Sequence, residues 1–437
     1  MVGVKQYLDS LARFGSKPGL LRMTKALALL GNPQDRLKVI HVAGTNGKGS
    51  TCAMLASVLQ AAGYRTGLYT SPHLVRFNER IRIDGQCITD GEIEEYGRRV
   101  IEVAKAVATA DDPMTFFEVT TLLAFEYLAA KEVDVAIVET GLGGRLDATN
   151  IGDCLVSVIT HIAWDHGEVL GDSLAKIARE KAGIIRPRRP VIVGPQDDGV
   201  LAVIGQEAAA KGSPLIHVSR EVLPEYQLLD SGMELSWQDG FTIRLPLQGV
   251  YQVANCALAK AVISVVGDLG LPVPEGALRQ GLERVSWPGR MEVIRTSPTI
   301  VLDGAHNLDG AHSLKRTLDQ RWPKLPIVYL FGLTGKKPVA DMVQALIRPG
   351  VSFVVTEVGH SRTPAVPMQT IADVCQGQGV DVYLAQEPKT ALTTALEILP
   401  PGGLLCVCGS LYLVGAVKEL LGNLDPDPGN GRRNTSR

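Results

Sequence analysis

Lys48 stands in the stretch LKVIHVAGTNGKGST at residues 37–51, among Gly44, Gly47 and Gly49 and just before the hydroxyls of Ser50 and Thr51. These residue types in this order make a phosphate cradle. Glycines let backbone N–H groups close on an anion, Lys48 adds a full positive charge, and Ser50 can ligate Mg²⁺. The spacing departs from G-x-x-x-x-G-K-[ST], because Val42 takes the first glycine position and Gly49 separates Lys48 from Ser50. Further along, the apolar run VDVAIV ends in Glu139 and then a glycine-rich loop. A carboxylate at such a strand tip, beside a phosphate loop, can hold Mg²⁺ opposite the phosphates. The chemistry to expect is capture of a magnesium nucleotide.

Positioning those groups requires strands and helices in alternation. Val39, Ile40 and Val42 read as a buried strand and the residues from Ser50 to Leu59 as a helix whose N-terminus favours negative charge. Asn46, Gly47, Lys48, Gly49, Ser50 and Thr51 are then the expected nucleotide contacts. Val133–Val138 is apolar on both faces, as a parallel strand covered by helices must be, and Arg145, Asp147 and Asn150 follow on its ligand edge. Residues 1–36 predict two short helices around SKPG; RFNERIRIDGQCIT predicts a loop and hairpin, and GEIEEYGRRVIEVAKAV a helix. Residues 191–245 read as strands extending the first sheet. Beyond the junction VSWPGRMEVIRTSPT, the runs TIVLDGAHN, PIVYLFGLTG, SFVVTEVGH, DVYLA and GLLCVCGSLYLVG read as strands, each but the last followed by a helix. Asp303 and His306 fall where one of these strands meets its helix.

At 437 residues the chain exceeds the size of one growing core, so two α/β domains are expected, at 1–294 and 295–423, with a disordered polar tail at 424–437. Hydrophobic content of 45% against 21% charged residues leaves ample material for those cores. A net charge of -2 gives no reason to expect a nucleic-acid or membrane surface. The seven scattered cysteines contain no C-x-x-C pair and fit a reducing compartment, and Cys154 and Cys406 read as small buried thiols. There is no signal-peptide core and no uninterrupted apolar run of about 18 residues. The expectation is a soluble cytoplasmic monomer acting on small molecules.

The loop GTNGKGS resembles that of the Mur ligase superfamily. With S-P-H at 71–73, LGGRLDATN at 142–150, D-H at 165–166, E-K-A-G-I at 180–184 and DGAHN at 303–307, the chain looks like its folylpolyglutamate synthase and dihydrofolate synthase branch. GSLYLVGAV at 409–417 extends the match, whereas GKK at 335–337 and GHSRTP at 359–364 replace the family's D-K-D and S-P-R-A. The resemblance implies an N-terminal P-loop ATPase domain with a mostly parallel sheet and a smaller Rossmann-like C-terminal domain. It also implies ATP with two Mg²⁺ sites as cofactors, and Ser71, Glu139 and His166 as metal ligands beside Ser50. Lys181, which on a helix alone reads as a surface charge, would react with CO₂ to give a carbamate. Thr115, Phe116, Phe117, Glu118, Leu146, Asp147 and Ala148 would border the folate, and Pro18, Gly19, Leu20 and Arg22 lie in a segment that helps hold the pterin. Gln252 and Asn255 would lie on the adenine side, Arg290 and Asp303 would reach the nucleotide, and His306 would act at the glutamate site.

The activity this implies is ATP-dependent addition of L-glutamate to a pteroate or folate carboxylate through an acyl phosphate, with ADP and phosphate as products. One rival is a peptidoglycan-type Mur ligase, for whose UDP-sugar domain the 36 leading residues are not expected to suffice. The other is a P-loop ATPase or switch without ligation, which requires no second domain carrying DGAHN.

Overall fold

The structure, a computed structural model, describes residues 3–11, 15, 17–109, 112–359 and 363–424. It divides into two units, Met1–Trp287 and Pro288–Arg437.

The first unit is built on an eight-stranded sheet: β1 (Val39–Ala43), β2 (Thr66–Tyr69), β3 (Ile81–Ile83), β4 (Gln86–Cys87), β5 (Val135–Glu139), β6 (Val156–Ile159), β7 (Val191–Val193) and β8 (Leu215–His217). Their order is β4-β3-β2-β5-β1-β6-β7-β8. Pairing is parallel from β2 to β8, and the β3–β4 hairpin adds antiparallel on the β2 side. Alternate residues of the central strands enter opposite cores. Ile40, Val42 and Ile137 pack with the helices Lys48–Ala61 and Gln252–Asp268; Val39, Ala136, Val138 and Tyr69 pack with Asp90–Val107 and Phe116–Ala130. Burial on both faces is why these strands carry no polar alternation. The expected N-terminal helices are Val4–Leu11 and Leu21–Leu29.

The expected sheet extension holds only for β7 and β8. The strands β9 (Glu225–Leu228), β10 (Met233–Ser236) and β11 (Thr242–Leu245) form a separate antiparallel sheet, whose buried Met233, Leu235, Ile243 and Leu245 join the Lys48–Ala61 core.

The second unit carries β12 (Glu292–Thr296), β13 (Thr299–Leu302), β14 (Ile327–Phe331), β15 (Val351–Val355), β16 (Asp381–Leu384) and β17 (Leu404–Cys408), in the order β12-β13-β17-β14-β15-β16. All pairs but β12–β13 are parallel. Two expectations change here. Glu292 and Val293, placed in the first domain by the sequence reading, pair with Leu302 and Val301 of β13, and the two compact units divide between Trp287 and Pro288. The run after β17 is also a helix, Leu411–Leu424, with Leu413, Val414, Val417 and Leu421 buried. The tail expected to be disordered lies, apart from Leu424 in that helix, outside the described residues, as do His360, Ser361 and Arg362 of GHSRTP. Among the described residues no helix is long and apolar enough to cross a membrane.

Candidate active site

Strands β2, β5, β1 and β6 run parallel, so their C-terminal ends meet at one sheet edge. The phosphate loop leaves β1 there. Gly44 and Gly47 have φ +150° and +91°, backbone that L side chains rarely adopt. Space forbids a side chain as well: a Cβ on Gly44 would lie 1.8 Å from Thr160 Oγ1, and one on Gly47 2.3 Å from Asn255 Oδ1. The loop is pinned to the segment after β6, since Thr45 N and Asn46 N donate to His161 O at 2.8 and 3.2 Å, and Thr45 Oγ1 to Ala163 O at 3.0 Å. Behind it the helix Lys48–Ala61 starts at Lys48 with Gly47 as N-cap. Gln252 Nε2 donates to Ser50 Oγ at 3.1 Å, and Asn255 Nδ2 to Gln252 Oε1 at 2.9 Å. Both amides are buried, so the Y-Q-x-x-N pair faces the phosphate loop rather than solvent.

Two lysines converge on the loop. Lys48 Nζ donates to Gly44 O at 3.2 Å and Thr45 O at 3.1 Å; Lys181 Nζ donates to Gly44 O at 2.7 Å. Lys181 is 4% exposed, which overturns the surface charge its helix pattern alone suggests. Burial pushes its ammonium down to about 7; the Lys48 charge lowers it further, while Asp165 and Asp147 act the other way. The loop 141–150 packs against the backbone of its helix turn. Gly144 packs so tightly that a Cβ there would lie 2.7 Å from Glu180 O and 2.8 Å from Lys181 O, and Arg145 N donates to Glu180 O at 2.7 Å.

Glu139, 4% exposed, ends β5 opposite Val42 of β1, and its Oε2 accepts from Ser71 N at 3.0 Å. The structure therefore joins the Ser71 and Glu139 positions directly. The buried Cys52 thiol, on the phosphate-loop helix, is raised well above its ordinary value by burial and then by the Glu139 charge, with Lys48 opposing. Glu139 and Lys48 thus act on one neighbourhood. His166, its side chain 47% exposed, lies after β6, across β1 from Ser71 and Glu139, and its backbone N donates to Asp165 Oδ1 at 2.9 Å. Among the described residues no three His, Cys, Asp or Glu side chains form a metal cage. The donors on offer, one carboxylate with the hydroxyls of Ser50 and Ser71, fit Mg²⁺, which keeps waters and phosphate oxygens in its shell.

The residues expected around folate divide into two groups. Asp147, 5% exposed, accepts from Gly141 N (2.9 Å) and Leu142 N (2.8 Å) on Oδ2, and from Thr149 N (3.0 Å) and Thr149 Oγ1 (2.5 Å) on Oδ1. Its carboxylate shapes the loop that presents Leu146 and Ala148. Thr115 and Glu118 form a capping box for the helix Phe116–Ala130, and Glu118 Oε1 also accepts from Arg22 Nε at 2.9 Å. Phe117 instead faces the sheet edge: it stacks on Tyr69 at 6.1 Å, and a Cβ on Gly141 would lie 2.5 Å from its ring. Phe116 packs edge-on against Phe77 at 6.0 Å, with the Arg80 guanidinium 5.3 Å from its centroid.

In the second unit, Asp303 follows β13 and accepts from Met291 N on Oδ2 and Ala305 N on Oδ1, both at 2.8 Å. Arg290 Nη1 donates to Gly289 O at 3.0 Å and lies where a Cβ on Gly304 would come within 2.2 Å of it. His306 Nδ1 lies 2.8 Å from Gly304 O, which assigns the proton to Nδ1 because a carbonyl only accepts. Asn307 caps the helix Leu308–Arg321 through Gly310 N. Arg290, Asp303 and His306 thus share one strand-end turn.

Comparison with known proteins shows the family. The Mur ligase middle domain matches residues 42–263, and the Mur ligase glutamate ligase domain matches 289–411. A dihydrofolate synthase/folylpolyglutamate synthase of Bacillus subtilis is 38% identical over 431 residues, spanning 95% of this chain and 98% of that one. The chain belongs to the folylpolyglutamate synthase/dihydrofolate synthase family. A Lacticaseibacillus casei folylpolyglutamate synthase is 36% identical over 425 residues, with 95% and 97% covered. Mycobacterium tuberculosis folylpolyglutamate synthase complexed with ADP superposes with a TM-score of 0.89 at 34% identity, covering 96% of this chain and 97% of that one. Escherichia coli FolC in complex with DHPP and ADP gives 0.83 at 32%, covering 97% and 98%. Folylpolyglutamate and dihydrofolate synthases of this kind are ATP-dependent ligases, and this chain is one.

Several contributors carry no local signal in the sequence. Thr160 and His161 brace the phosphate loop, and Gln196 holds their segment through Thr160 O at 2.7 Å and Ile162 N at 3.0 Å. The Trp287 ring lies where a Cβ on Gly49 would come within 3.0 Å, with the Arg82 guanidinium 5.3 Å from its centroid.

Proposed function

We propose that this chain joins the amine of L-glutamate to the carboxylate of dihydropteroate, of tetrahydrofolate and its polyglutamates, or of both, through an acyl phosphate, releasing ADP and phosphate. The observation that carries this reading is the convergence of Lys48 and buried Lys181 on Gly44 O, with Glu139 on the adjoining strand tip and the 141–150 loop packed over Lys181. A carboxylate is a poor electrophile because its leaving group would be oxide. Transfer of the γ-phosphoryl group to it makes phosphate the leaving group when the amine attacks. Lys48 and the amides at the start of its helix would offset charge on the transferring oxygens, the main source of acceleration in such reactions. Ser50, Ser71, Glu139 and His166 would hold Mg²⁺, whose chemistry is to neutralise the phosphate oxygens.

Lys181 has the prerequisite for carbamate formation. Its nitrogen must be neutral to attack the carbon of CO₂, forming an N–C bond and releasing one proton to solvent, and burial lowers its pKa to about 7. The product carboxylate would supply a further oxygen ligand beside the phosphates. Arg290 suits nucleotide phosphate because its guanidinium can bond two oxygens at once.

The test is product analysis with dihydropteroate and tetrahydrofolate assayed side by side. ADP and phosphate released only when glutamate and one of these acceptors are both present supports the reading. AMP with pyrophosphate rules out the acyl phosphate, and acceptor-independent hydrolysis favours a P-loop ATPase without ligation. Retained activity of Lys181→Ala at saturating ATP would dismiss the carbamate.

A further inference from the structure

His41 is the one polar side chain in β1, whose residues Val39–Ala43 are all buried, and it is 2% exposed. It faces Val138 of β5 and Ser157 of β6 across the sheet, three residues before Gly44. An apolar side chain would fill this place at less cost in desolvation. What the imidazole provides is a contact: Nε2 lies 2.8 Å from Thr149 Oγ1. That hydroxyl lies 2.5 Å from Asp147 Oδ1. Asp147 also takes three backbone N–H bonds, from Gly141, Leu142 and Thr149, so its oxygens are acceptors throughout. The single hydroxyl proton of Thr149 therefore goes to Asp147. The hydroxyl oxygen then accepts from His41 Nε2–H, which assigns the tautomer.

We infer that His41 is a positioning residue for the acyl-acceptor loop: acting through Thr149, it holds the Asp147 carboxylate in the orientation that closes residues 141–149 and sets affinity for the folate-type acid. The inference rests on the reading of Leu146, Asp147 and Ala148 as the border of that substrate. Without the His41 donor, Thr149 is free to turn its proton away from Asp147. The carboxylate is then tied by backbone N–H groups alone. Burial, with the Arg186 charge adding to it, pushes the His41 imidazole down to about 3, so it stays neutral and donates from one nitrogen across the working range. The phosphate loop is pinned from the β6 side by His161 and Ala163, independently of Thr149. The effect should therefore separate the two substrates.

Steady-state kinetics of the full chain tests this with four variants. His41→Leu and Thr149→Val each raise the KM for dihydropteroate or tetrahydrofolate about tenfold, the scale of one broken hydrogen bond in a buried pair, while kcat and the KM for ATP stay within about twofold. His41→Gln, whose amide N–H can replace Nε2–H, stays near the parent. An unchanged acceptor KM in Thr149→Val overturns the inference, and so does a parallel rise in both KM values. His41→Gln behaving like His41→Leu also overturns it. Asp147→Asn separates the two readings. If it leaves the acceptor KM unchanged, the substrate-loop assignment itself is wrong; if it raises the KM while Thr149→Val does not, only the relay from His41 fails. Should His41→Leu not fold, Thr149→Val and His41→Gln still decide.

Discussion

Glu139 and Asp303 have the same sequence signature, an apolar strand that ends in an acid and continues into a glycine-containing loop, yet their surroundings differ. Glu139 accepts the backbone N–H of Ser71 and stands beside the phosphate loop, where its charge is felt at Cys52. Asp303 has each oxygen bonded to a backbone N–H, from Met291 and Ala305, and so binds the two arms of a turn together. Asp147 belongs with Asp303 in this respect, since both of its oxygens take backbone N–H groups. A buried carboxylate at a ligand edge can meet the ligand or build the wall that does, and the backbone N–H groups closed by Asp303 and Asp147 are what a wall requires.

That contrast can be broken by isosteric changes. The largest effect belongs to the phosphate-loop side: Lys48→Ala should lower kcat/KM by about a thousandfold, the scale of losing a principal charge on a transferring phosphoryl group, with the fold intact by circular dichroism. Glu139→Gln should lower kcat by about a hundredfold with little change in denaturant midpoint, because the amide oxygen can still accept from Ser71 N. Asp303→Asn reverses the pattern. Its amide can accept only one of the two N–H groups and turns an NH₂ on the other, costing about 1–3 kcal/mol of stability, read as a lower urea midpoint. Equal stability losses for the two amide variants would dissolve the distinction.

A further effect is a pH slope from Lys181. Its pKa falls from 10.5 to about 7 on folding. Below about pH 7 both states are protonated and the full cost of burying the charge is present. Above it the unfolded chain binds the proton and the folded one does not, so stability rises with pH toward 10.5, by at most about 1.4 kcal/mol per unit. Lys181→Met should remove this slope in CO₂-free buffer and gain stability at neutral pH while losing activity. An unchanged slope in urea titrations would show that Lys181 is charged in the folded state.

Much of the first sheet was legible because burial on both faces writes itself as unbroken β-branched runs, as in β1 and β5. The phosphate loop was legible because glycines at 44 and 47 answer to close contacts with Thr160 and Asn255. Lys181 was not legible from its helix, because the partner its side chain reaches, Gly44 O, lies in a loop far away in sequence. The helix after β17 was missed because LYLV reads equally as strand or helix over so short an apolar run. β9–β11 alternate as strands should, and nothing in that alternation says which sheet they join. The backbone N–H groups that Asp147 and Asp303 accept carry no sequence signal either, since a polar residue at a strand end looks the same with or without them. His41 is invisible for a related reason: its partner Thr149 is brought to it only by folding.

The central claim is that the acceptor's own carboxylate takes the γ-phosphoryl group. Placing heavy oxygen in that carboxylate and analysing the released phosphate by mass spectrometry tests it most directly. Transfer through an acyl phosphate delivers one labelled oxygen to each phosphate formed, in step with amide product, whereas unlabelled phosphate would contradict the account.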